Sequence, residues 1–232
     1  MSVPQLPLAL RYPPEQRLES FIAAPLVLID QLRALAQTAA SDWLYLAGAP
    51  GTGKTHLALA VCAVAEQAGR RSAYLPLAAA SGRMADALEA LEGNDVVALD
   101  GLEAIAGDRE DEVALFDFHN RARSAGLNVL YTAREVPDSL GLALPDLRSR
   151  LSQCNRAVLD SLDDHARAKV LRDRAQRRGL VLEEAAIDWL LVRTDRDLVS
   201  LIAALDRLDR ESLAAQRRVT VPFLRQVLES RA

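Results

Sequence analysis

Trp43-Leu44-Tyr45-Leu46-Ala47-Gly48-Ala49-Pro50-Gly51-Thr52-Gly53-Lys54-Thr55 is the stretch from which the fold can be read. Its first five residues are apolar or aromatic and suit a buried strand. Gly48 to Thr55 then follow the phosphate-loop spacing G-x-x-x-x-G-K-[ST]. From His56 to Ala68 the pattern is helical, and Gly69 stops it. A bare Gly-rich turn between a strand and a helix also fits the eight residues. What specifies the reading is that strand, loop and helix all stand where phosphate binding needs them. Gly48, Gly51 and Gly53, with Pro50 and Thr52 between them, let the backbone turn its N–H groups toward phosphate oxygens. The helix that follows points its positive end at the same place. Lys54 can reach the β and γ phosphates as a point charge, and the Thr55 hydroxyl can ligate Mg²⁺. The expected ligand is therefore a nucleotide with Mg²⁺.

Around this centre the 232 residues are 50% hydrophobic and 26% charged, the balance of a soluble globular protein with room for a sizeable core. The formal net charge of −4 argues against a broad duplex-DNA-binding surface, though it leaves room for a local basic patch. Cys62 and Cys154 are the only cysteines. They form no metal motif, and Cys62, in the helix after the loop, reads as a small core residue. No signal peptide or membrane-spanning run is apparent, so a reduced, cytoplasmic chain is expected.

Residues 1–14 hold Pro4, Pro7, Pro13 and Pro14 and read as an extended tail. Within it, Leu6, Leu8 and Leu10 alternate after Gln5, so an extended backbone puts them on one face. Such a stripe suits a partner's groove, although packing on the chain's own domain is the simpler reading of the hexapeptide alone. Phe21 and Ile22 precede the first strand and are candidates to cover a nucleotide base, with core packing as the alternative. A helix is expected through Leu26, Leu28, Leu32 and Leu35.

Downstream, strands are expected at 73–77, 95–100, 127–132 and 156–159, and helices at about 81–91 and 111–124. The strand Asp95-Val96-Val97-Ala98-Leu99-Asp100 ends in a carboxylate that can hold Mg²⁺ opposite Thr55. Thr132 ends the next strand on the γ-phosphate side. In the helix at 111–124, Val113, Leu115, Phe116 and Phe118 are expected near the buried side. Strands alternating with helices imply an α/β fold with a parallel sheet flanked by helices on both faces. From residue 163 onward the patterns fit helices at 163–177, 183–193, 196–213 and 221–230, a small all-helical lid. The organisation expected is a tail at 1–14, an α/β nucleotide-binding domain at 15–161 and a helical lid domain at 162–232.

These residues together resemble the AAA+ P-loop ATPases and, among them, the DnaA-related branch, over essentially the whole chain. Gly48 to Thr55 matches the first nucleotide motif and Leu99-Asp100 the second. Arg150 in Ser149-Arg150-Leu151 matches the arginine finger, and Arg196 in Asp195-Arg196-Asp197-Leu198 matches the lid sensor. Ile105-Ala106-Gly107-Asp108 and Ala114 to Arg121 are similar to the core of that branch. The tail residues Gln5, Leu6, Leu8 and Leu10 are similar to a sliding-clamp-binding motif, which turns the reading of the tail toward clamp binding. The resemblance implies a regulator that sits, ADP-bound, on the DNA-loaded clamp and prompts ATP-bound DnaA to hydrolyse its ATP, preventing re-initiation. It implies the clamp and DnaA as partners and is compatible with a homodimer or higher oligomer; from the sequence itself no membrane contact is expected and, in departure from DnaA, no dedicated DNA-binding domain.

Two departures bear on activity. Gly101 follows Asp100 where active AAA+ ATPases commonly carry a second acid, so weak intrinsic hydrolysis is expected. Arg134 stands near a sensor position where DnaA relatives have an acid. A stand-alone AAA+ ATPase, such as a helicase loader, is the rival from the enzyme class, and a plain DnaA-like DNA binder is the rival from the binding class.

Overall fold

A computed structural model describes residues 17–21, 25–39, 42–193, 198–215 and 220–229. A single 3-10 turn, Leu18–Ser20, precedes helix α1 (Leu26–Gln37). Strand β1 (Trp43–Gly48) runs into α2 (Lys54–Gln67), followed by β2 (Ser72–Pro76), α3 (Met84–Glu89) and β3 (Val96–Asp100). Helix α4 (Arg109–Ser124), β4 (Asn128–Ala133), α5 (Pro145–Ser152) and β5 (Asn155–Leu159) complete the α/β part. The strands pair in parallel in the order β2-β3-β4-β1-β5. The phosphate-loop strand therefore lies inside the sheet, between β4 and β5.

Alternation along the strands divides the core into two layers. Tyr45 and Ala47 of β1, with Val129 and Tyr131 of β4, face α3, α4 and α5. Leu44 and Leu46, with Leu130 of β4, face α1 and α2. A parallel sheet needs this cover on both faces, which is why its strands read as near-continuous apolar runs. On α4, Asp111 and Glu112 are buried in the first turn, and Leu115, Phe118, His119 and Ala122, spaced i, i+3, i+4, i+7, continue the buried side as one helical stripe. Val113 falls off that stripe and is 39% exposed, correcting its expected place on the buried side.

Glu112 ties this layer to α5. Its carboxylate is fully buried and accepts three backbone N–H groups, from Gly107 (2.7 Å), Ala143 (2.9 Å) and Leu144 (2.6 Å). Leu144 immediately precedes α5, so α4 fixes where α5 begins. After β5, helices α6 (Asp164–Arg177), α7 (Glu184–Arg193), α8 (Leu198–Ala215) and α9 (Val221–Glu229) build a separate core around Leu171, Ile187, Leu190, Leu205 and Leu224. Arg172 grips Glu184 with two bonds (3.1 and 2.7 Å), pinning α6 to α7. The chain is thus an α/β sheet unit followed by a helical lid. Among the described residues, no helix is long and apolar enough to cross a membrane.

Candidate functional site

The phosphate loop is shaped by close approach. A Cβ on Gly48 would lie 2.7 Å from the Leu159 carbonyl oxygen and 2.8 Å from Thr52 Oγ1. Gly53 has φ +95°, and a Cβ there would run into the Phe21 ring. Phe21 therefore lies against the loop, where the sequence placed a base-covering candidate; Ile22 lies outside the described residues. His56, in the first turn of α2, faces the Phe21 ring at a centroid distance of 5.5 Å, and its Nε2 lies 2.9 Å from the Arg17 carbonyl.

Lys54 is 9% exposed. Its ammonium donates to the Gly48 carbonyl (2.5 Å) and the Ala49 carbonyl (3.0 Å). Burial lowers its pKa, and the neighbouring carboxylates of Glu103 and Asp100 act against that shift. At the end of β3, Asp100 collects three hydroxyls. Thr55 Oγ1 and Tyr74 Oη each donate to Oδ2 at 2.8 Å, and Thr132 Oγ1 donates to Oδ1 in a short bond. Thr132 also accepts the Gly101 N–H at 3.0 Å. One carboxylate thus joins α2, β2, β3 and β4 at the mouth of the loop. Thr55 and Asp100 together fit Mg²⁺, which is typically held by one or two protein oxygens beside substrate phosphates.

Two groups of residues here escaped the sequence reading. Gly101 turns with φ +86°, and the short helical turn Leu102–Ala104 then returns Glu103 to the site. Glu103 accepts the Arg134 N–H and Nε–H, both at 3.1 Å. An acid is therefore present, displaced beyond Gly101 and held by Arg134. The second group is on the lid. Val170, Asp173, Arg174 and Arg177 of α6 line the same cavity of about 300 Å³ as the phosphate loop, Asp100, Glu103 and Thr132. Their i, i+3, i+4, i+7 spacing was the available signal. Leu198 and Ile202 of α8 close the same wall.

Other expected site residues lie elsewhere. Arg196 and the tail residues Gln5, Leu6, Leu8 and Leu10 fall outside the described residues. Arg150, in the last turn of α5, lines a different cavity of about 370 Å³. That cavity lies at the opposite end of the sheet, beside the first residues of β1 and β5. Arg148 is exposed.

A phosphate loop, a strand-end aspartate bonded to its threonine, and a helical lid over one cavity define an AAA+ P-loop fold. Residues 15–134 match the family of IstB-like ATP binding proteins, and residues 164–228 match the family described as Hda, lid domain. The chain is 37% identical over 226 residues to an uncharacterized protein of Haemophilus influenzae, covering 97% of this chain and 98% of that one. Domain III of the Thermotoga maritima replication initiation protein DnaA superposes with a TM-score of 0.79 at 19% identity, covering 94% and 97% of the two chains. AMPPCP-bound DnaA from Aquifex aeolicus gives 0.68 at 21% identity, covering 88% and 68%. The Thermotoga maritima RuvB Holliday junction branch migration motor gives 0.62 at 21% identity, covering 94% and 72%. The chain belongs to the family of IstB-like ATP binding proteins, carries a lid domain of the Hda type at residues 164–228, and shares its fold with domain III of DnaA.

Proposed function

We propose that this protein is a regulator of chromosomal replication initiation that binds ADP or ATP with Mg²⁺ and acts on DnaA in trans. The nucleotide lies between the phosphate loop and the lid. Gly48, Pro50, Gly51, Thr52 and Gly53 shape the loop, Lys54 exchanges its two carbonyl partners for phosphate oxygens, and Thr55 and Asp100 hold Mg²⁺. Arg196 approaches from the lid. The N-terminal Gln5, Leu6, Leu8 and Leu10 engage the sliding clamp and bring the protein to DNA that carries DnaA. Arg150 then acts as an arginine finger on the ATP of the neighbouring DnaA subunit, where a planar guanidinium offsets charge on the phosphoryl group in flight. A finger of this kind changes rates by ~10³–10⁵ in other NTPases. The bound nucleotide of this chain itself supplies the phosphate anchor that sets the lid.

The observation that carries the reading is Arg150. It is half-buried at the end of a helix whose start is fixed by Glu112, and no carboxylate among the described residues pairs with it. A finger needs that combination of fixed root and unspent charge. The test is the fraction of DnaA converted to its ADP form over time on clamp-loaded DNA. Arg150→Ala is expected to keep nucleotide and clamp binding while conversion falls to the unstimulated rate. Arg150→Lys is expected to fail as well, because an ammonium lacks the two-pronged geometry, whereas Arg148→Ala behaves nearly as wild type. Full conversion by Arg150→Ala would refute the reading. Glu103 in the nucleotide cavity keeps the second reading, a stand-alone ATPase, in play; rapid turnover without DnaA would favour it.

A further inference from the structure

The cavity beside Arg150 holds a second arginine. Arg123 comes from the last turn of α4 and lines the same space, with Trp43 and Asp42 at the start of β1, His119 of α4 and Cys154 before β5. Among the described residues neither Arg123 nor Arg150 makes an ion pair, whereas Arg121, one turn back from Ser124, is held by Glu92 at 2.7 Å. Asp42 is the acidic member of the lining. Its backbone N–H donates to Asn128 Oδ1 (3.0 Å), and among the described residues no ion pair joins it to either arginine. Both guanidiniums stand at helix C-termini, where the helix field favours a cation but supplies no full counter-charge.

The wall behind them is also unsatisfied. Trp43 Nε1 and His119 Nε2 are buried with no hydrogen-bond partner among the described residues, and their ring centroids lie 4.3 Å apart. His119 is 1% exposed and is held from its other nitrogen by Tyr131 Oη at 3.2 Å. Buried polar atoms without partners are uncommon, and the Trp43 Nε1–H behind two guanidiniums without ion-pair partners concentrates unspent donor capacity at one place. The chemistry this matches is a multiply charged oxyanion presented from outside, with phosphate the natural example.

We propose that Arg123 is a second guanidinium of the in-trans site, contacting together with Arg150 the terminal phosphates of a nucleoside triphosphate held on the neighbouring subunit. This rests on the finger reading of Arg150. α4 and α5 are joined through buried Glu112, so the two arginines are carried on one rigid pair of helices.

The experiment titrates wild type, Arg123→Ala, Arg123→Gln and Arg150→Ala against ATP-bound DnaA on clamp-loaded DNA. It reads maximal conversion rate and half-saturating concentration separately. For Arg123→Ala and Arg123→Gln the maximal rate is expected to fall by ~10²-fold, the scale of one lost charge-stabilising donor, with half-saturation within about twofold of wild type. Arg123→Gln keeps two of the three stem methylenes, so a loss in both variants with unchanged thermal melting is a loss of the guanidinium rather than of packing. If Arg150→Ala abolishes stimulation while both Arg123 variants match wild type, this inference is overturned and the finger reading stands. If the Arg123 variants raise half-saturation and leave the maximal rate intact, Arg123 is a docking residue and the inference is again overturned. If Arg150→Ala itself converts DnaA at the wild-type rate, the reading beneath it falls.

Discussion

Replacing His119 by Phe tests the electrostatics of the lower cavity through stability alone. Burial first, and then the guanidiniums of Arg123 and Arg150, push the imidazole down to about 4 from 6.5. The unfolded chain thus takes up a proton near pH 6.5, while the folded chain resists until near pH 4. Between these values the unfolded state binds more protons, so stability is fully present above pH 6.5 and is lost as pH falls toward 4. The gap of roughly 2.5 pH units, at ~1.36 kcal/mol per unit, sets a ceiling of about 3 kcal/mol, most of it lost between pH 7 and pH 4.5. His119→Phe deletes this slope. It also leaves the Tyr131 hydroxyl without its 3.2 Å partner, an offset of about 1–3 kcal/mol that does not depend on pH over this range. The clean comparison is therefore Tyr131→Phe against Tyr131→Phe/His119→Phe. Urea unfolding at steps from pH 7 to 4.5 supplies the free energies. Trp43 emission in a Trp189→Phe background is the probe, since the Trp43 ring lies 4.3 Å from His119. Shared carboxylate titrations cancel in the difference. Two proteins whose stabilities fall in parallel across this range would refute the argument, because the imidazole would then be protonating freely in the fold.

Further expectations concern the nucleotide cavity and the tail. Lys54→Ala should weaken ADP binding by about 1.5–3 kcal/mol, the worth of a charge-assisted bond to phosphate, and a calorimetric titration giving unchanged affinity would rule out the phosphate loop as the site. Intrinsic ATP hydrolysis should be slow, because the carboxylate of Glu103 is engaged by Arg134; Glu103→Gln should lower the residual single-turnover rate, and an unaltered rate would remove Glu103 from any role in it. Deleting residues 1–10 should abolish co-elution with the sliding clamp and leave nucleotide affinity and thermal melting almost unchanged, since each leucine lost from an apolar pocket forfeits roughly 1.5–3 kcal/mol. Persistent co-elution would place the clamp contact elsewhere.

The parts of this molecule that could be read in advance are those governed by local rules. The run Trp43 to Ala47 could only be a buried strand, and the glycines after it demanded a turn that brings backbone to phosphate. Val96 to Leu99 are apolar on both sides of the strand because both faces of the parallel sheet are covered. What stayed hidden depends on where the chain returns to itself. Glu103 is unremarkable in sequence until Gly101, with φ +86°, turns the backbone and sends it back beside Arg134. Tyr74 reads as one more strand residue, yet its hydroxyl meets Asp100 because β2 and β3 pair in the register that sets Pro76 opposite Asp100. Arg123 and Arg150 reach one cavity from two helices, and no local pattern encodes that meeting. Arg174 and Arg177 fall in a segment expected to be helical, but their place on the cavity wall depends on how the lid meets the sheet, which no local pattern encodes.

The attachment of residues 17–21 to the phosphate loop has a thermodynamic corollary. The Phe21 ring occupies the space that a side chain at position 53 would need, and the Arg17 carbonyl meets His56 at 2.9 Å. Residues 17–21 are therefore rooted on the first turn of α2, beside the phosphate loop. By reciprocity, whatever factor nucleotide exerts on the binding of a partner to the chain through these residues, the partner exerts in equal measure on the nucleotide. A measured difference in partner affinity between nucleotide-free and nucleotide-loaded protein would then be, without further experiment, the amount by which the partner tightens or loosens the nucleotide.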